Sequence, residues 1–125
     1  MDSSRKFDLE QRLIKFAVRM LEVSELLPNS KAGSHISGQL VRCGTSPAFN
    51  YGEAQAAESH KDLIHKIGIV LKELRETGIC LKIIINKPLV TNPELINNDL
   101  GECNELIAIF TKSVKTAKST INQKG

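Results

Sequence analysis

The stretch Ser59-His-Lys-Asp-Leu-Ile-His-Lys-Ile-Gly-Ile-Val-Leu-Lys-Glu-Leu-Arg-Glu-Thr-Gly-Ile-Cys-Leu-Lys-Ile-Ile-Ile-Asn-Lys-Pro88 decides the fold. Ile64, Ile67, Leu71, Leu74, Gly78, Leu81 and Ile85 recur at alternating steps of three and four, the seam of a helix that packs on other helices. Ser59 offers a cap with Asp62 three residues on, and Asn86-Lys87-Pro88 stops the pattern. A second apolar set lies off the seam, and between Ile79 and Ile85 only Lys82 is polar. A helix apolar nearly all round is buried on more than one side. Leu63, Ile69, Val70, Ile79, Ile83 and Ile84 are therefore the expected apolar face of a subunit interface.

The same spacing extends to both sides. Upstream, Leu9, Leu13, Phe16, Met20, Val23 and Leu27 form a seam, with Asp8 as its cap, Phe7 as a hydrophobic staple, and Pro28-Asn29-Ser30 as its end. Downstream, Thr91-Asn92-Pro93-Glu94 opens a helix with a seam of Ile96, Leu100, Cys103, Ile107, Phe110, Val114, Ala117 and Ile121. The segment from Lys31 to Ser59 is irregular. Ile36, Leu40 and Cys43 continue a seam, and Gly44-Thr45-Ser46-Pro47 interrupts it. Either a renewed helix is capped by Ser46, or Pro47 kinks one long helix. Beyond it, Ala48, Gly52, Ala54, Ala56 and Ala57 make an unusually small-sided helix.

No stretch alternates with period two, so a sheet is not expected. The spacing predicts an all-α fold, an antiparallel up-down-up-down four-helix bundle. It forms one domain over residues 1–125, with helices at about 8–27, 31–58 with a break or kink near 44–47, 60–86 and 92–121.

Composition agrees. The 125 residues are 41% hydrophobic and 25% charged, which suits one globular domain, and with only 4% aromatics the core must be aliphatic. No apolar run reaches the length needed to cross a bilayer. The N-terminus lacks the apolar segment of a signal peptide, so a cytoplasmic protein with no membrane contact is expected. Cys43, Cys80 and Cys103 are odd in number and fall in helical patterns, which reads as free, buried thiols.

Chemistry is sparse. There is no phosphate-binding glycine loop, no Cys-x-x-Cys, no His-Glu-x-x-His and no Gly-x-Ser-x-Gly. His60 and His65 do not share a helix face, and Cys43 lies too far from His35 for direct contact, so neither metal, cofactor nor catalytic residue is expected. Asp62 with Lys66, and Lys72 with Glu76, have the spacing of surface ion pairs. The most unusual polar set is Asn50 and Glu53, with Arg42 and Ser46 upstream and Lys66 and Glu73 as partners on the next helix. It reads as a ligand-binding surface or as a hydrogen-bond network fixing an interface.

Net charge is +3 and unevenly placed: residues 61–92 hold six basic against three acidic side chains. The last helix carries its acids first and its lysines late, as a helix dipole prefers. Lys61, Lys66, Lys72, Arg75, Lys82, Lys112, Lys115 and Lys118 are the candidates for contact with phosphate.

The run Gln39-Leu-Val-Arg-Cys-Gly-Thr-Ser-Pro-Ala-Phe-Asn-Tyr-Gly-Glu-Ala-Gln-Ala-Ala-Glu-Ser59, followed by Asp62-Leu-Ile-His-Lys-Ile-Gly-Ile-Val-Leu-Lys-Glu-Leu-Arg-Glu-Thr77, resembles the bacterial four-helix bundle family of 23S rRNA intervening-sequence proteins. The likeness runs from Phe7-Asp-Leu-Glu10 to the segment ending at Lys115, with Leu63 where that family usually has Phe and Cys80 where it often has Trp. The resemblance implies a ring-like homopentamer of a family with no established catalytic activity, and its motif positions are Arg42, Ser46, Asn50, Glu53, Glu58, Asp62, Lys66 and Glu73. It also brings in a related accessory protein that works with a reverse transcriptase and its RNA. The expected function is thus a non-catalytic oligomeric scaffold associated with RNA. The alternative is a module that docks a partner protein, such as a reverse transcriptase, without touching nucleic acid.

Overall fold

A computed structural model describes the main chain of residues 3–124 and the side chains of residues 8–120. Four helices make an all-α up-down bundle: α1 (Ser3–Leu26), α2 (Lys31–Gln55), α3 (His60–Asn86) and α4 (Glu94–Lys124). The Ser30 hydroxyl accepts from the Gly33 amide to start α2, and the Ser59 hydroxyl accepts from the Asp62 amide to start α3, both at 3.0 Å. α1 begins at Ser3, so Asp8 lies inside the helix instead of capping it. The expected Phe7 staple and the seam position Ile121 lie outside the described side chains.

No break occurs near 44–47, because α2 runs through Pro47 without interruption. Pro47 has no amide hydrogen for the Cys43 carbonyl, a defect worth about 3 kcal/mol in a free helix. Burial on both sides of the proline offsets it: Leu40, Cys43 and Gly44 before, Tyr51 and Ala54 after. Gly44 is required by packing, since a Cβ there would lie 2.6 Å from Met20 Cβ of α1.

The helices pack in chain order, α1 on α2, α2 on α3 and α3 on α4, while α1 and α4 touch only thinly. Ion pairs close that last seam. Arg12 grips Glu102 with two hydrogen bonds, from Nη2 at 2.6 Å and from Nε at 3.2 Å. One turn-pair along, Arg19 Nε donates to the buried Asp99 at 2.9 Å. In the interior, Tyr51 and Phe110 meet edge to face, with ring centres 5.6 Å apart.

Two apolar registers differ from expectation. On α4 the buried line is Ile96, Asp99, Cys103, Leu106 and Phe110, whereas Leu100 and Ile107 are only half-buried. On α3, Val70 and Ile84 are fully buried in the subunit's own core, so they are not interface residues. The physical reason is that α3 sits between two well-packed neighbours. Its second apolar line, with Thr77 and Cys80, faces α2 and lies beside Cys43. Of the six expected interface residues, Ile79 and Ile83 are exposed, and Leu63 and Ile69 are half-buried.

A candidate polar seam and an unpaired basic surface

Arg42, Ser46, Asn50 and Glu53 follow one another along one line of α2, because steps of three and four residues keep side chains on one helix face. That line borders α3. Lys66 Nζ reaches Glu53 Oε2 at 3.1 Å. Farther along, Arg42 lies 3.9 Å from Glu73 Oε2 and 4.0 Å from Glu76 Oε2, while its Nη2 donates to Gln39 at 2.8 Å. Asn50 turns back on its own helix and donates to the Ser46 carbonyl and hydroxyl.

The structure therefore brings Arg42, Glu53, Lys66 and Glu73 together across the α2–α3 seam. It leaves Glu58 exposed at the turn and Asp62 half-buried in the first turn of α3. The expected helical ion pairs are replaced: Lys66 turns to Glu53 and not to Asp62, and Glu76 turns to Arg42 and not to Lys72. Both cross-helix contacts lie at the rim of the α2–α3 seam, with Glu53 60% and Arg42 58% exposed.

Glu76 is a member of this group that sequence reasoning assigned to the solvated face. Glu73 Oε2 and Glu76 Oε2 are both buried with no hydrogen-bond partner. Burial, and then the neighbouring Glu76 charge, push the Glu73 carboxyl above its usual range, and Arg42 only partly counters them. The seam thus stores an unfavourable carboxylate pair.

Beneath it, the thiols of Cys43 and Cys80 are both buried and free. At the α2–α3 turn, Tyr51, Glu58, His60 and Leu63 line a cavity of about 450 Å³. Among the described residues no three His, Cys, Asp or Glu side chains gather into a metal site. No helix there is long and apolar enough to cross a membrane.

Seven of the eight candidate cations, Lys61, Lys72, Arg75, Lys82, Lys112, Lys115 and Lys118, are exposed and form no ion pair among the described residues. Lys66 is the exception. His60 Nε2 lies 3.1 Å from the Ala117 carbonyl, which sets the lysines of late α4 at the same end of the bundle as Lys61.

Apolar groups are also left open. Ile14, Val18 and Leu21 of α1 and Phe49 of α2 line a groove of about 360 Å³, with Phe49 74% exposed. Gly38 and Gly52 of α2 and Gly68 of α3 face open space, with nothing within 4 Å of where a Cβ would lie.

These features define the class: an up-down four-helix bundle with a charged α2–α3 seam and unpartnered apolar faces. The chain matches the 23S rRNA-intervening sequence protein family over residues 5–112 and belongs to it. Among solved structures it is similar to a protein of unknown function from the S23 ribosomal protein family of Bacteroides thetaiotaomicron. The two are 29% identical with a TM-score of 0.79, over 88% of this chain and 97% of that one. No curated protein matches it.

Proposed function

We propose that this protein is a non-catalytic scaffold that assembles as a ring-like homopentamer and holds RNA through its unpaired surface cations. The observation that carries the RNA contact is the set of seven exposed lysine and arginine side chains that have no acidic partner among the described residues. Such cations meet phosphate and release counterions without first breaking an ion pair. Each subunit carries +3, and five copies multiply it to about +15, which concentrates nucleic acid near the surface.

Assembly is supported by two kinds of surface that the single subunit does not use. A closed ring needs two different faces on each subunit. The groove around Phe49 and the Ile79–Ile83 face are two such apolar surfaces. The helical glycines 38, 52 and 68, which face open space, each cost about 1 kcal/mol of helix propensity relative to alanine. Close approach of a second copy would explain their retention.

The test is fluorescence anisotropy with a labelled structured RNA across a salt series, together with native mass spectrometry. Binding that weakens steeply with salt, and falls in the Lys112→Gln, Lys115→Gln, Lys118→Gln variant, supports the reading. RNA affinity and salt slope unaffected by that variant would remove the α4 lysines from the surface. A five-subunit mass with no RNA affinity at low salt would favour the protein-docking alternative, and a monomer would overturn the ring.

A further inference from the structure

The cavity at the α2–α3 turn remains outside the proposed function. Its volume of about 450 Å³ falls in the range of small-molecule sites. Its lining changes character with depth. Tyr51 and Ala54 of α2 and Ile67 of α3 are buried and Leu63 is half-buried, so the floor is apolar, while Gln55, Glu58, Ser59 and His60 are exposed around it.

One floor residue carries an unanswered polar group. Tyr51 is only 5% exposed and its ring is held edge to face against Phe110. Its hydroxyl has no hydrogen-bond partner among the described residues. A buried tyrosine hydroxyl ordinarily has one.

The rim supplies both donors and acceptors. The Ser59 oxygen accepts from the Asp62 amide, which leaves its own proton free to donate. His60 Nε2 lies 3.1 Å from the Ala117 carbonyl, and a carbonyl only accepts, so Nε2 carries the hydrogen and Nδ1 of the neutral ring is an acceptor. Glu58 adds a carboxylate, and Gln55 an amide that can do both. The surroundings are basic. Lys61 follows His60 in α3, and Lys118 follows the Ala117 to which His60 bonds. Both lysines are exposed and form no ion pair among the described residues.

We propose that this cavity captures one unpaired nucleobase of a bound RNA strand, with Lys61 and Lys118 on the neighbouring phosphates. The inference rests on the RNA reading above and names the feature of RNA that the protein selects. A nucleobase has apolar faces and an edge of donors and acceptors, which matches an apolar floor under a mixed polar rim. The Tyr51 hydroxyl gains its missing partner from that edge. Other ligand classes fit less well. An acyl chain leaves the rim groups and the Tyr51 hydroxyl unsatisfied, and an ammonium ligand meets two lysines with only Glu58 to offset them. A base inside a duplex is paired and stacked, so the cavity takes one only from a bulge, a loop or a single strand.

The test is fluorescence anisotropy at low salt with three hairpin RNAs that share a stem: one fully paired, one with a single bulged purine, and one with the same bulge lacking its base. The bulged purine should bind about tenfold more tightly than either of the others, the contribution of one captured base. Ala57 lines the cavity between the two helices and is half-buried, so Ala57→Trp should fill the space and abolish that advantage, with affinity for the paired hairpin unchanged. Tyr51→Phe keeps the ring on Phe110 and removes only the hydroxyl, so it should shrink the advantage about threefold. This second variant decides the location if Ala57→Trp fails to fold. Equal binding of the three RNAs, or an undiminished advantage in Tyr51→Phe or in folded Ala57→Trp, would overturn the base site while leaving the RNA reading intact. Binding of none of the three would overturn both.

Discussion

Gly44 and Gly52 are two turns apart on α2, and alanine should act on them in opposite directions. In both cases the methyl group brings about 1 kcal/mol of helix propensity. At Gly52 nothing lies within 4 Å of the new atom, so the isolated subunit keeps the whole gain. At Gly44 the atom would lie 2.6 Å from Met20 Cβ and 2.7 Å from Met20 Cγ. Neither neighbour is the far end of a flexible side chain, so α1 and α2 must part. Overpacking of this kind costs about 1–3 kcal/mol, which outweighs the propensity gain.

Gly44→Ala should therefore lose up to about 2 kcal/mol, and Gly52→Ala should gain about 1 kcal/mol in the isolated subunit, a shift of about 4 °C in Tm for a chain this size. Urea denaturation followed by circular dichroism, at concentrations where light scattering shows a monomer, measures both. At assembling concentrations the sign at Gly52 should reverse, because a methyl group would stand between two closely packed copies. A Gly44→Ala variant as stable as wild type would refute the packing argument. A Gly52→Ala variant that assembles normally would remove that glycine from the interface.

Arg19→Met should cost about 2 kcal/mol in chemical denaturation, because Asp99 stays buried without its only partner among the described residues; Asp99→Asn should cost less, since it leaves no buried charge. Glu73 has a folded-state pKa above its unfolded value, so the folded state binds the extra proton and stability falls as pH rises through that range. Glu73→Gln should accordingly be more stable than wild type at neutral pH, with the difference closing as pH drops below the carboxylate range; a constant difference in thermal melts would contradict this. Leu71→Asp should unfold the bundle, whereas Ile83→Asp should stay folded and lower the assembly mass, read by circular dichroism and native mass spectrometry. An unchanged mass for Ile83→Asp would take that residue out of the interface.

The sequence by itself determined the helices and their order, and the family. Caps and stops act within a few residues: Ser59 needs only the Asp62 amide, and Pro88 ends α3 wherever α3 lies. The three–four spacing of Leu13, Phe16, Met20 and Val23 likewise marks a buried line without reference to a partner. The motif from Arg42 to Glu73 was legible as a polar set for the same reason, since those positions share helix faces.

Tertiary structure decided what each face meets. Val70 and Ile84 are fully buried while Ile79 and Ile83 are exposed, although all four read alike along the chain. On α4 the core took Leu106 in place of Ile107, a choice set by the rotation of that helix against α3. The long charged side chains were the least legible. Arg12 and Arg19 close the α1–α4 seam, Lys66 crosses to Glu53, and Glu76 turns inward beside Glu73 and Arg42. Each of these side chains can reach a neighbour on its own helix or one on the next. The choice depends on how near the adjacent helix lies and how much water the gap excludes, and a linear order of residues contains neither quantity.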